Sequence, residues 1–87
     1  AALIGMTRSL ALEVSRFNLR VNSIAPGYIE TDMTSQLKDS LPSLRKRIPL
    51  KRLGTTAEVS SLVNYLLSDG AAYITGQTLV IDGGMSC

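Results

Sequence analysis

An α/β fold with parallel strands is predicted by three features of the sequence. Two short apolar runs, residues 19–25 and 77–82, have the length and branched composition of buried strands. Between them, Val59, Leu62, Val63, Leu66 and Leu67 recur at i, i+3, i+4, i+7 and i+8, which is the wide stripe of an amphipathic helix. Strand, helix-bearing connection, strand is the order of a βαβ unit, whose strands run parallel. Third, Pro26-Gly27 closes the first run and sends a loop from the carboxyl end of a strand, the edge at which open α/β sheets bind ligands.

Composition narrows the class. With 45% hydrophobic and 18% charged residues, the 87-residue chain is globular, and a formal net charge of +2 gives no bulk attraction to nucleic acid or membrane. No apolar run reaches the roughly 20 residues that a membrane-spanning helix needs. The single cysteine, Cys87, has no partner in the chain, which fits a reducing compartment such as the cytoplasm, or a mitochondrion or plastid in a eukaryote. Histidine is absent, so these residues supply neither a Ser-His-Asp triad nor a histidine metal site, and no metal ligand is assigned.

Taken in order, residues 1–17 carry Leu3, Ile4, Met6, Leu10, Val14 and Phe17 on one stripe and predict an amphipathic helix that Asn18 ends in the left-handed conformation. Because residues 1–7 already read as helix interior without a polar cap, the sequence is expected to be a piece of a longer protein. After the Pro26-Gly27 loop, prolines at 42 and 49 divide residues 33–53 into short pieces: one helix over residues 34–39, and a second capped by Ser40, with Pro42 in its first turn, ending before Pro49. A long, divided connection of this kind suits a lid. It is also basic, with Lys38, Arg45, Lys46, Arg47, Lys51 and Arg52 against Asp39, which is either a solvated face or a docking surface for an acidic partner or a phosphate-bearing substrate. Thr55 and Glu58 form a capping box at the start of the helix over residues 56–67, and Gly70 is expected to end it in the left-handed conformation. Two parallel strands leave open edges, so further strands are expected from outside these residues.

Four segments in order carry a resemblance: Ala2-Leu3-Ile4-Gly5-Met6-Thr7-Arg8-Ser9-Leu10-Ala11, Ile24-Ala25-Pro26-Gly27-Tyr28-Ile29-Glu30-Thr31-Asp32-Met33, Pro49-Leu50-Lys51-Arg52-Leu53-Gly54 and Tyr73-Ile74-Thr75-Gly76-Gln77-Thr78-Leu79-Val80-Ile81-Asp82-Gly83-Gly84. Together they resemble the C-terminal portion of a classical short-chain dehydrogenase/reductase, most of all the 3-oxoacyl-[acyl-carrier-protein] reductases. The resemblance implies a Rossmann-type doubly wound parallel sheet, with residues 1–87 supplying its last two strands, covering helices and substrate lid within a single domain. It sets Pro26, Gly27, Tyr28, Ile29 and Thr31 beside the nicotinamide of NAD(P)H, with NADP(H) ahead of NAD(H). The backbone of Ile29 would offer a donor and an acceptor to the carboxamide, Gly27 would let the main chain approach, and the Thr31 hydroxyl would bond the carboxamide or a phosphate. Met33 would begin the lid. The family's glycine-rich phosphate turn and its catalytic Asn, Ser, Tyr and Lys have no counterpart here. None of Tyr28, Tyr65 and Tyr73 has a lysine four residues later, so no catalytic residue is assigned.

The expected reaction of the parent protein is NADPH-dependent reduction of a 3-oxoacyl thioester on acyl carrier protein to the 3-hydroxyacyl thioester, as in fatty-acid synthesis, with Arg45, Arg47 and Arg52 meeting the acidic carrier. The same family frame serves another ketone, a sugar, a steroid or an acyl-CoA. A reading of a different class is a non-enzymatic binding or oligomerisation module. A homotetramer is expected, and neither nucleic acid nor membrane is expected as a partner.

Overall fold

The computed structural model describes residues 2–32, 34 and 39–87. Helix α1 (Ala2–Val14) runs into a 3-10 turn (Ser15–Phe17), and strand β1 (Ser23–Pro26) follows. Helix α2 (Leu41–Arg47), helix α3 (Thr56–Leu67), a second 3-10 turn (Asp69–Ala71) and strand β2 (Thr78–Ile81) complete the order. The helix expected over residues 34–39 and the lid role of Met33 lie outside the described residues, Thr34 and Asp39 apart.

β1 and β2 pair in parallel with Ser23 opposite Thr78 and Pro26 opposite Ile81, as the βαβ reading requires. The Ser23 and Gly27 amides donate to Gln77 and Ile81 carbonyls at 2.9 and 3.0 Å. Pro26 lies between them in alternation, so its missing N–H falls on the edge away from β2 and costs this ladder nothing. The expected strand over residues 19–25 is therefore shifted: it includes Pro26, and residues 19–22 are not strand. Side chains replace the ladder there. Asn22 Nδ2 donates to the Ile74 carbonyl at 3.0 Å, Asn22 Oδ1 accepts from the Gln77 amide at 3.1 Å, and the Val21 amide donates to Thr75 Oγ1 at 3.1 Å. β2 is likewise shorter than residues 77–82.

Asn18 does end the first helical segment in the left-handed region, at φ 59°. The face that α1 buries differs from the expected stripe: Thr7 and Ala11 are buried, whereas Leu3, Met6, Leu10 and Phe17 are exposed. Ala11 lies against the Gly76 turn, where a side chain on Gly76 would sit 3.4 Å from its methyl, and the Thr7 hydroxyl donates back to the Leu3 carbonyl at 2.7 Å. Ser40 occupies the N-cap of α2 with proline in the first turn, although its side chain makes no cap bond. α3 has the full capping box. Its end departs from expectation: Ser68 is the C-cap, and Gly70 is not among the residues with positive φ.

The small core lies under the connection: Ile48 is 2% exposed, Leu53 and Leu66 are 8%, and Ala71 is fully buried. Ile48 seats on the turn after β2, where Gly83 and Gly84 have φ of 66° and 91°. A Cβ on Gly83 would come within 2.8 Å of Ile48 Cγ2, so that turn needs glycine for both conformation and space. The Leu50 amide also donates to the Gly83 carbonyl at 3.1 Å, which fixes the root of α2 to the end of β2. Among the described residues no helix is long and apolar enough to cross a membrane.

Candidate functional site

The site is built at the carboxyl ends of both strands. Gly27 is the tightest point: a Cβ there would lie 2.7 Å from Asp82 Cβ and 2.9 Å from Asp82 Cα. Its φ is negative, so space and not conformation requires glycine, and the close approach is to the end of β2.

Beyond Gly27 the chain pairs with the segment before α3. The Gly54 amide donates to the Tyr28 carbonyl at 3.0 Å, and the Glu30 amide donates to the Gly54 carbonyl at 2.8 Å, giving an isolated parallel bridge between Ile29 and Gly54. In extended backbone the groups used, C=O of one residue and N–H of the next but one, point to one side, and those of the residue between point to the other. Ile29 therefore turns its own N–H and C=O away from Gly54. One donor and one acceptor on a single residue are the complement of a primary amide, so the residues present fit a nicotinamide carboxamide.

Thr31 is fixed by its backbone. Its amide donates to Thr34 Oγ1 at 3.1 Å, and its carbonyl accepts from the Thr34 hydroxyl at 2.6 Å and the Thr34 amide at 3.0 Å. Its own hydroxyl takes no part in this knot, and the residue is exposed. Thr31, Arg45 and Arg52 line one groove of about 510 Å³, together with Glu30 and Asp32. Tyr28, Ile29 and Arg52 line an adjacent cleft of about 100 Å³ that is closed on the β2 side by Ile81, Asp82 and Gly83. Arg47 lines neither groove; it belongs to the last turn of α2, beside Arg45 and Lys46. Pro26 is half of the strand end and touches neither groove.

Arg52 is not the free cation that a docking surface needs. Its two terminal nitrogens donate to the two carboxylate oxygens of Glu58, both at 2.8 Å, and Nη1 also donates to the Leu53 carbonyl at 3.1 Å. Glu58 in turn accepts from the Thr55 amide at 3.0 Å and the Thr55 hydroxyl at 3.2 Å. The Arg52 guanidinium, followed by the Thr55 amide, holds the Glu58 carboxyl down from 4.5 to about 2. Asp82 is also lowered, first by the Ser86 side chain and then by backbone amides; those of Gly84 and Ser86 donate to it at 2.9 and 3.0 Å. Its role is to close the turn after β2. Sequence reasoning missed Gly54 and Glu58 as parts of the site, although the capping box marked Glu58 and the break before it marked Gly54. Among the described residues no group of three or more His, Cys, Asp or Glu side chains is gathered as a metal site would require.

A parallel strand pair whose carboxyl ends feed a turn loop and a rooted helical connection has the arrangement of the end of an open α/β sheet. The chain belongs to the short-chain dehydrogenase/reductases, the family model described as enoyl-(acyl carrier protein) reductase matching residues 1–86. Its architecture is accordingly the C-terminal part of a Rossmann-type doubly wound sheet. Among its relatives is the 3-oxoacyl-[acyl-carrier-protein] reductase FabG of Chlamydia trachomatis, 48% identical over 87 residues that make up 99% of this chain and 35% of that protein. Among solved structures, 4-hydroxyisoleucine dehydrogenase complexed with NADH matches with TM-score 0.88 and 39% identity, covering 98% of this chain and 36% of that one. YwfH, an NADPH-dependent reductase involved in bacilysin biosynthesis, matches with TM-score 0.89 and 33% identity, covering 97% and 36%. The chain thus spans about a third of the length of the relatives it matches.

Proposed function

We propose that this chain is the nicotinamide-side part of a single-domain NADPH-dependent reductase that converts a 3-oxoacyl thioester on acyl carrier protein to the 3-hydroxyacyl thioester. The observation that carries the reading is the Ile29 peptide pair, turned away from Gly54 at the carboxyl end of β1. In this reading Pro26 and Gly27 set the strand exit, Tyr28 and Ile29 take the carboxamide edge, and Thr31 bonds the carboxamide or a phosphate. Met33 opens the lid. The proton donor and the phosphate turn belong to parts of the protein outside residues 1–87, and the assembly is a cytoplasmic homotetramer.

Carbonyl reduction is preferred to the reduction of a carbon–carbon double bond because the relative above is named for a 3-oxoacyl substrate. The carrier enters through charge. Arg45 and Arg47 lie on the last turn of α2 and are exposed, whereas Arg52 is already paired. An acidic carrier meeting such a rim gains mainly in encounter rate, an effect that salt weakens.

The test uses the full-length protein, with NADPH oxidation followed on carrier-linked and free thioester. Replacing Arg45 and Arg47 together by alanine is expected to lower kcat/KM for the carrier-linked substrate about three- to tenfold at low salt and to leave the free thioester unchanged. Equal efficiency with both substrates, unaltered by the replacement, rejects the carrier. A second substrate class is favoured by the likeness to 4-hydroxyisoleucine dehydrogenase, a family member whose name carries no carrier protein. Higher efficiency on a small free ketone would choose it.

A further inference from the structure

We infer that Arg52 and Glu58 are positioning residues for the nicotinamide-side loop, an external brace that fixes Gly54 and through it the outward peptide of Ile29. The inference rests on the nicotinamide reading of that loop.

Among the described residues, Gly54 is the backbone partner of both neighbours of Ile29, donating to Tyr28 and accepting from Glu30. Its position is set by residues on either side of it. On one side, Arg52 spans back to the Leu53 carbonyl while its fork grips Glu58. On the other, Thr55 is held twice by the same carboxylate and returns a bond from its hydroxyl oxygen, which accepts the Glu58 amide at 3.1 Å. Glu58 therefore ties both flanks of Gly54 to the first turn of α3. The contact continues in side chains, since the space at the Gly54 α-carbon is already limited by Ile29 Cδ1 at 3.0 Å from a would-be Cβ. Ordinary capping needs only the Thr55–Glu58 pair. The bidentate Arg52 goes beyond the cap, holding from outside the same Glu58 oxygen that accepts the Thr55 amide. Its fork spans residues 52 to 58 and encloses Gly54, which bonds Tyr28 and Glu30 on either side of Ile29.

Because a bound amide must meet a donor and an acceptor at once, a small rotation of the Ile29 peptide breaks the match, and displacements of this order cost up to about a hundredfold when they reach reacting groups. The brace should thus act on cofactor and leave the carbonyl substrate alone.

The experiment uses the full-length protein carrying Arg52→Met, Arg52→Lys or Glu58→Gln. NADPH binding is measured by fluorescence, steady-state constants are measured for both substrates, and backbone hydrogen exchange is measured over residues 28–30 and 52–55 without ligand. Expected for Arg52→Met is an NADPH dissociation constant and KM raised about tenfold, a carbonyl KM within about twofold of wild type, and faster exchange in both segments. Arg52→Lys, which keeps the charge and loses the fork, should fall between wild type and Arg52→Met. Arg52→Met leaves the Thr55–Glu58 cap in place, so helix α3 keeps its start and the comparison survives loss of fold in Glu58→Gln. Unchanged NADPH binding overturns the inference, whether or not exchange quickens. Equal losses for NADPH and carbonyl also overturn it. If wild-type protein binds neither NADPH nor NADH, the nicotinamide reading has failed; unchanged exchange at residues 28–30 would then independently reject the brace.

Discussion

Replacing Gly27 by alanine tests how the site is spaced. The new Cβ would lie 2.7 Å from Asp82 Cβ and 2.9 Å from Asp82 Cα. Carbon atoms settle at about 3.5–4.0 Å, so the strand ends must part by close to 1 Å, and both Asp82 atoms belong to or adjoin backbone. No rotamer change relieves the contact. Parting of that size stretches the Gly27 amide to Ile81 carbonyl bond, now 3.0 Å, beyond hydrogen-bond range. Overpacking of this kind costs about 1–3 kcal/mol and the lost bond about 1 kcal/mol, so Gly27→Ala should destabilise by about 2–4 kcal/mol. Urea unfolding of the full-length protein reads the difference directly, and NADPH affinity should weaken with it because Tyr28 follows immediately. A Gly27→Ala protein within about 0.5 kcal/mol of wild type, with unaltered affinity, would refute the claim that space at this position holds β1 against β2.

The Glu58 carboxyl gives a pH signature: its folded value is about 2 against an ordinary 4.5, so its stabilising contribution is complete above 4.5 and is lost as pH falls toward 2. Glu58→Gln should lose that dependence, so the difference in stability between wild type and variant, from acid titrations of unfolding, should shrink between pH 4.5 and 2; a constant difference would contradict the assigned pairing. Ile48→Ala should cost about 2–5 kcal/mol in chemical unfolding, because the side chain is almost fully buried on the Gly83 turn, and a loss below about 1 kcal/mol would show that the root of α2 is not seated there.

The parts of this fold that were legible in sequence are those fixed by local chemistry. Asn18 reaches the left-handed region with little penalty, and Thr55 with Glu58 closes a cap within one turn; both depend on neighbours close in the chain. Gly70 misled because a glycine after a helix permits a left-handed cap without requiring one, and Ser68 had already ended α3. The buried face of α1 was unreadable for a different reason. Hydrophobicity ranks Leu3 and Phe17 above Thr7 and Ala11, but the Gly76 turn that packs on Ala11 is brought there by long-range pairing of residues 21 and 76, which no local pattern announces. Pro26-Gly27 marks the loop at the strand end in the sequence, whereas nothing in the sequence marks Arg52 as paired with Glu58. A fork that closes over six residues follows no helical or strand period, and it exists because the chain bends at Gly54 to meet Ile29.

The exit from the sheet explains why an outward-turned peptide donor and acceptor fall on Ile29 in particular. Ser23 and Gly27 donate toward β2, and Pro26 has no N–H to give on the opposite edge, so at Pro26 the outer edge offers only a carbonyl. Past Gly27 the bonding changes parity: Tyr28 and Glu30 supply the next pair, and the partner is Gly54 in place of β2. A chain that changes partner between adjacent residues leaves the intervening residue with both peptide groups unclaimed by either partner. That residue is Ile29, in the cleft where Ile81, Asp82 and Gly83 end the second strand. Two strand ends and the segment before α3 converge there, and it is the change of partner, more than any side chain in the loop, that makes a donor and an acceptor available side by side.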